Sequence, residues 1–158
     1  MSAQVTAHEL GFEPLDSLPG LDSLCVFVGE DERPLRGAAG FLDWRLAGSL
    51  SRVLASGLFT GQAGDALLLS TLGRIAIPRA FAIGVGPGAL TEDALASALK
   101  IAAQVLKKVG AESVAMELPG AGSLPEQIRA QALRQVFLPV FNGSRVAVLA
   151  EKGLARAL

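Results

Sequence analysis

The sequence predicts an α/β domain, a three-layer sandwich in which a mixed, mostly parallel sheet is covered by helices on both faces. Three observations carry that expectation. Runs of strand length that are apolar on both faces recur along the chain, as buried parallel strands require. Amphipathic stretches long enough for crossover helices lie between them. The 158 residues amount to one ordinary domain, so residues 1–158 are read as a single unit.

The alternation Gln4-Val5-Thr6-Ala7-His8 reads as a short opening strand. Pro14, Pro19 and Gly20 then break the chain before Ser23-Leu24-Cys25-Val26-Phe27-Val28, a β-branched run suited to a strand covered on both sides. Gly29 to Gly37 is a charged loop containing Pro34. From Ala38 to about Ser56 one helix is expected, because Leu42, Leu46, Leu50, Val53 and Leu54 recur at helical spacing while Asp43, Arg45 and Arg52 fall off that stripe. Gly57 suits its C-cap. After the loop Thr60–Gly64, Ala66-Leu67-Leu68-Leu69 reads as another buried strand, and Ala80 to Val85 as a further one.

Thr91 is placed to cap a helix from Glu92 to Val109, with Gly110 behind it. Its buried stripe is Leu95, Leu99, Ala102, Val105 and Leu106, and Lys107 and Lys108 sit at the negative end of its dipole. Ser113 to Leu118 is the next strand. Ser123-Leu124-Pro125-Glu126 has the form of a capping box, opening a helix that buries Ile128, Leu133, Val136 and Phe137. Arg145 to Ala150 is the last strand, after an Asn142-Gly143 turn.

Composition bounds the partners. Fourteen basic and 15 acidic residues give a net charge of −1, and only 18% of residues are charged, against about 25% in an average domain. That balance excludes a disordered tail and supplies no basic field for nucleic acid or an anionic membrane. No apolar run approaches the roughly 18 residues of a membrane span, and the N-terminus lacks the form of a secretory signal. One cysteine, Cys25, excludes an internal disulfide and a cysteine-based zinc site and fits a reducing, cytoplasmic setting.

An ordered series of segments then resembles a known family. It begins with Gly37-Ala38-Ala39-Gly40-Phe41-Leu42-Asp43 and continues through Leu50-Ser51-Arg52-Val53-Leu54-Ala55-Ser56-Gly57. Phe59-Thr60-Gly61-Gln62-Ala63-Gly64-Asp65, Leu67-Leu68-Leu69 and Phe81-Ala82-Ile83-Gly84-Val85-Gly86 complete it. From about Ser23 to Ala150 the chain is similar to the N-terminal domain of the leucyl (cytosol) aminopeptidases. The resemblance implies a macro-domain-like fold and a cytoplasmic setting. In full-length members this domain stands beside a catalytic domain with two metal ions, and the enzymes form hexamers. The chain stops where that catalytic domain would begin, and the metal-binding signature has no matching positions here. No catalytic residue is therefore carried over, and neither a metal nor a cofactor is expected.

The remaining chemistry is sparse. Glu30, Asp31 and Glu32 cluster in a loop that reads as solvated, where a two-metal hydrolase needs convergent ligands. His8 and Cys25 are a conceivable pair, but Cys25 lies in an apolar run, where a thiol is inert. Two glycine loops follow strands, Gly84-Val85-Gly86-Pro87-Gly88 and Pro119-Gly120-Ala121-Gly122-Ser123, where open α/β sheets collect ligands. A macro-domain-like fold would hold ADP-ribose there. Gly84, Gly86, Gly88, Gly120, Gly122 and Ser123 are thus the candidate ligand residues. Against this, the dinucleotide pattern fails at Ala89 and Thr91, neither loop holds Lys or Arg, and Glu92 and Asp93 already satisfy the following helix dipole. Arg33, Arg36, Arg45 and Arg52 form at most a diluted basic patch. Trp44 lies roughly opposite the apolar stripe of its helix, near Phe41 and Gly48 at helical spacing, which marks either an interface or a face covered by a long loop such as the N-terminal segment. The expectation is a non-catalytic interaction or regulatory module that docks a protein partner or self-associates as a homo-oligomer. A nucleotide or ADP-ribose-type binding domain is the alternative.

Overall fold

In the computed structural model, which describes residues 3–18 and 20–158, six strands form one sheet in the order β1-β6-β5-β2-β4-β3. They are β1 (Gln4–Glu9), β2 (Ser23–Gly29), β3 (Ala66–Ser70), β4 (Arg79–Gly86), β5 (Ser113–Met116) and β6 (Arg145–Ala150). Every neighbouring pair is parallel except β3 with β4. The mixed, mostly parallel sheet read from the sequence is the observed one.

Side chains of the central strands alternate between two cores, as the pleat dictates. Cys25, Phe81, Ile83, Val114, Met116, Val146 and Val148 join one cluster. Leu24, Val26, Val28, Ala80, Ala82, Ala115, Ala147 and Leu149 join the other. The first is covered by α4 (Glu92–Lys108), α5 (Glu126–Ala132), a π-helical turn (Leu133–Phe137) and α6 (Lys152–Ala157). The second is covered by α1 (Phe12–Ser17), α2 (Gly37–Arg45) and α3 (Ser49–Ser56). This is the three-layer α/β sandwich.

The elements follow local chemistry where that chemistry is strong. Thr91 caps α4, its side chain accepting the Ala94 N–H at 3.2 Å. Gly57 closes α3 in the left-handed conformation at φ 80°.

Several expectations are corrected. The single helix over 38–56 is two helices. Ala47 (φ 55°) and Gly48 (φ 83°) are both left-handed, and Gly48 N–H bonds Asp43 O at 2.8 Å. Gly48 opens α3 and Leu46 and Leu50 stay buried on either side of the break. A glycine just past the middle of a periodic stretch is the signal for that break. The Ala66–Leu69 strand is an antiparallel edge with alternating exposure, not a buried strand. Ser123 does not cap α5; Pro125 is its N-cap residue and no side chain caps it. The strand read to Leu118 ends at Met116. Pro14 lies inside the first turns of α1, where a missing N–H costs nothing, and Pro19 lies outside the described residues. His8 on β1 and Cys25 on β2 are separated by β6 and β5, so no His8–Cys25 pair exists; burial pushes the Cys25 thiol far above its ordinary range. Among the described residues no helix is long and apolar enough to cross a membrane.

Candidate functional site

The sheet reverses its direction of growth at β2. From β2 the chain moves out to β3 and β4, then crosses back to β5 on the other side. The helix after β2 packs on one face and the helix after β4 on the other. A crevice must open between them beyond the strand ends. It does: a cleft of about 450 Å³ is lined by the loops after β2, β4 and β5, a size suited to a small organic ligand. Phe27, Val85, Leu90 and Leu118 form its apolar wall, and Asp31, Glu32, Arg36, Glu117 and Ser123 are its polar side chains.

Of the sequence-derived candidates, Gly88, Gly120 and Ser123 line this cleft, while Gly84, Gly86 and Gly122 are not part of its lining. Gly84 serves packing instead: a Cβ there would stand 2.1 Å from Gln62 O. Gly86 takes φ 86°; its N–H bonds Gly61 O and its carbonyl accepts the Glu30 N–H, each at 2.9 Å.

The electrostatics of the cleft are set by its own carboxylates. Gly88 N–H donates to Asp31 Oδ2 at 3.3 Å, Arg36 N–H to Glu32 Oε2 at 3.2 Å, and Ala38 N–H to Glu117 Oε1 at 2.9 Å. The last two lie at the start of α2, which has no capping side chain of its own. Backbone N–H groups at a helix start normally attract an anion. Here acidic side chains already occupy them. Three carboxylates against Arg36 leave the cleft acidic in sum.

Glu117 is the most constrained of these groups. A Cβ at Gly37 (φ 56°) would stand 2.2 Å from its Oε1, so a side chain there would displace the carboxylate from this position. Burial pushes the Glu117 pKa above its ordinary 4.5, helped by Glu151 and Glu32 and opposed by the Ala38 N–H and Arg129. A carboxyl whose pKa is raised on folding contributes its stability fully below its unfolded pKa, and loses it as pH rises through the folded value. Glu117→Gln, which keeps an acceptor for Ala38, is therefore expected to match the wild type at about pH 4 and to melt a few degrees higher near neutrality. Thermal unfolding followed across pH checks this.

Arg129 underpins the same corner. Its side chain, 1% exposed, donates to Leu118 O at 2.6 Å, to Pro119 O at 3.2 Å and to Glu151 Oε1 at 2.5 Å. It thereby fixes the β5 loop that forms one wall of the cleft. The pair holds the Glu151 pKa below its usual range despite burial. Sequence reasoning missed Arg129 and Glu117. Glu117 had a signal, an acid directly after a fully buried strand.

The second candidate surface surrounds Trp44, which is 74% exposed. Shallow hollows flank it. One of about 500 Å³ runs past Pro34, Asp43, Gly48 and Ser51, and one of about 400 Å³ past Phe12 and Phe41. Phe41 is half-buried and meets Phe12 edge-on at 4.6 Å. Arg45 stacks 4.2 Å above the Phe12 ring and forks onto Asp16 at 2.6 and 3.0 Å. That hydrogen bond holds Asp16 below its usual carboxylate range and fastens α1 to α2. Of the arginines read as a basic patch, Arg33 bonds Gly29 O, Glu32 O and Thr60 O, Arg52 bonds Ala47 O, and Arg45 bonds Asp16. Among the described residues no group of three or more His, Cys, Asp or Glu side chains is placed to hold a metal ion.

A six-stranded sandwich with a cleft at the β2 switch point defines a macrodomain-like α/β domain. The macrodomain of Mycobacterium tuberculosis DarG superposes with a TM-score of 0.71 at 14% identity, covering 94% of this chain and 99% of that one. A Trypanosoma brucei macrodomain in complex with ADP-ribose superposes at 0.70 with 16% identity, covering 97% and 67%. A mutant of tomato leucine aminopeptidase gives 0.71 at 16% identity, with 98% of this chain matching 34% of that one. Residues 25–144 match the model of the cytosol aminopeptidase family, N-terminal domain. The chain belongs to that family. It is 39% identical over 92 residues to a probable cytosol aminopeptidase of Geobacter sp. (strain M21), and the match spans 58% of this chain and 19% of that protein.

Proposed function

We propose that the chain acts as a single-domain, non-catalytic docking module, and that its partner is the larger remaining part of an aminopeptidase of its family. The observation that supports this most is Trp44, the sole tryptophan, 74% exposed on a helix made rigid by the Phe12, Phe41 and Arg45 cluster. Large aromatic anchors on rigid elements are where binding energy concentrates. The choice of occupant is supported by the lengths of the relatives, since the matches span only 19% of the Geobacter protein and 34% of the tomato enzyme. The match to a cytosol aminopeptidase supports a cytoplasmic setting for the module.

Trp44 fluorescence is the test. An aminopeptidase of the family prepared without its own copy of this domain, and shown to be folded by its peptidase activity, is titrated into the chain. A blue shift and loss of acrylamide quenching are expected. Trp44→Ala is expected to leave stability within about 0.5 kcal/mol and to weaken docking by about 2 kcal/mol, roughly thirty-fold. An unchanged emission spectrum at saturating enzyme overturns the reading.

The cleft favours a second reading, a small-molecule site. Its three self-capped N–H groups and its acidic balance weigh against a diphosphate. Calorimetry with ADP-ribose is expected to give no heat, and micromolar binding would reverse the order of the two readings.

A further inference from the structure

We propose that β3 is a pairing edge for a second copy of this chain, joined antiparallel about a two-fold axis through Leu68 to make one continuous sheet. The proposal is independent of the Trp44 surface and stands on the backbone, the side chains and the charges of one segment.

The backbone comes first. β3 is the last strand of the sheet and is bonded on one side only, to β4. Gly84 N–H bonds Asp65 O and Thr71 N–H bonds Pro78 O. In an antiparallel ladder bonding alternates along the strand, so residues 65, 67, 69 and 71 face β4. The N–H and C=O groups of Ala66, Leu68 and Ser70 therefore point outward.

Soluble proteins usually protect such an edge with a charge, a proline or a bulge. From Ala66 to Gly73 there is none of the first two, and the register with β4 is unbroken. Leu68 is 59% exposed and Leu72 75%. Leu68 lies opposite Phe81, on the face covered by α4, while Leu67 and Leu69 pack into the other core. Leu68 and Leu72 are the apolar surface left over.

Charge selects the occupant. Asp65 precedes the strand, and Arg74 follows it in the turn closed by Arg74 N–H to Thr71 O at 2.9 Å. Among the described residues neither side chain has a hydrogen-bond or ion-pair partner. An identical strand laid antiparallel brings the acidic end of one copy to the basic end of the other, twice over, and a two-fold axis makes the interface self-complementary. Only one register uses all three outward residues: Leu68 opposite Leu68, and Ala66 opposite Ser70. It sets Asp65 beside Thr71 of the second copy, where the turn bearing Arg74 begins.

The test exploits the buried state of Cys25, which leaves an introduced thiol as the reactive one. Leu68→Cys faces its own twin at about 5.5 Å between Cα atoms, within disulfide reach. Ser70→Cys is displaced from its twin by four residues, roughly 13 Å, and is out of reach. Copper-phenanthroline oxidation is expected to give a covalent dimer from the first and only monomer from the second. Equal cross-linking, or none from Leu68→Cys, overturns the register and the pairing. Light scattering of the wild-type chain is expected to give twice the 16.3 kDa of one copy, and Leu68→Lys a folded single copy whose melting temperature, unlike that of the wild type, does not rise with concentration. Arg74→Asp is expected to raise the dimer dissociation constant roughly ten-fold, and the exchange Asp65→Arg with Arg74→Asp to restore it. A wild-type chain that stays single at about 100 μM, some hundred-fold above a micromolar dissociation constant, refutes the proposal.

Discussion

Replacing Arg129 with alanine is expected to destabilise the chain by about 3–5 kcal/mol, lowering the melting temperature by roughly 10 °C or more. The guanidinium is 1% exposed and supplies the donors for Leu118 O, Pro119 O and Glu151 Oε1. Its loss leaves two carbonyls without their donor, a cavity behind α5 and an acid without its counter-charge. Arg129→Lys separates charge from geometry. The ammonium keeps the attraction to Glu151 but cannot fork across two successive carbonyls, so about half of that loss is expected. The cleft responds as well. Arg129 lowers the Glu117 pKa, and without it the stabilising effect of Glu117→Gln near neutral pH is expected to grow. Denaturant unfolding of the single and double variants measures both effects.

Gly84→Ala is the second large effect. A Cβ at this position meets Gln62 O at 2.1 Å and Gly61 C at 2.6 Å, both backbone atoms. A flexible side chain would swing aside; a loop held by Gly84 N–H to Asp65 O and by Gly86 N–H to Gly61 O must move as a whole. A cost of about 3 kcal/mol is expected, read as a fall in the unfolding midpoint with unchanged slope. The same loop leads into β3, so proteolysis at residues 61–65 is expected to quicken. Gly84 entered the sequence reading as a ligand-loop glycine, and this substitution tests the packing role that the structure gives it.

The sandwich itself was legible because its signals are local. The run from Ser23 to Val28 and the stretch from Ala80 to Val85 are apolar on both faces, as central strands demand. Thr91, Leu95, Leu99, Leu106 and Gly110 mark one helix from cap to cap within twenty residues. The position of Trp44 off the buried stripe was legible too, since its angle relative to Leu42 and Leu46 needs no tertiary knowledge, but whether a loop covers it was not. Elements with weak local signals were misread. α1 hides a proline in its first turns, α6 is six residues long, and the apolar letters of β3 look the same on a buried strand and on an edge.

The cleft was legible only as a place, the loops beyond the strand ends. Its chemistry comes from residues that are remote in sequence. Glu117 caps α2 from 79 positions away, and Arg129 on α5 fixes the loop after β5. The sequence alone determined the layers, the central strands and the off-stripe position of Trp44, because periodicity and capping are properties of neighbouring residues. Only the tertiary structure decided which N–H groups the acids would occupy and which strand would be left at the edge, because those outcomes depend on strand order, which no short window of residues encodes.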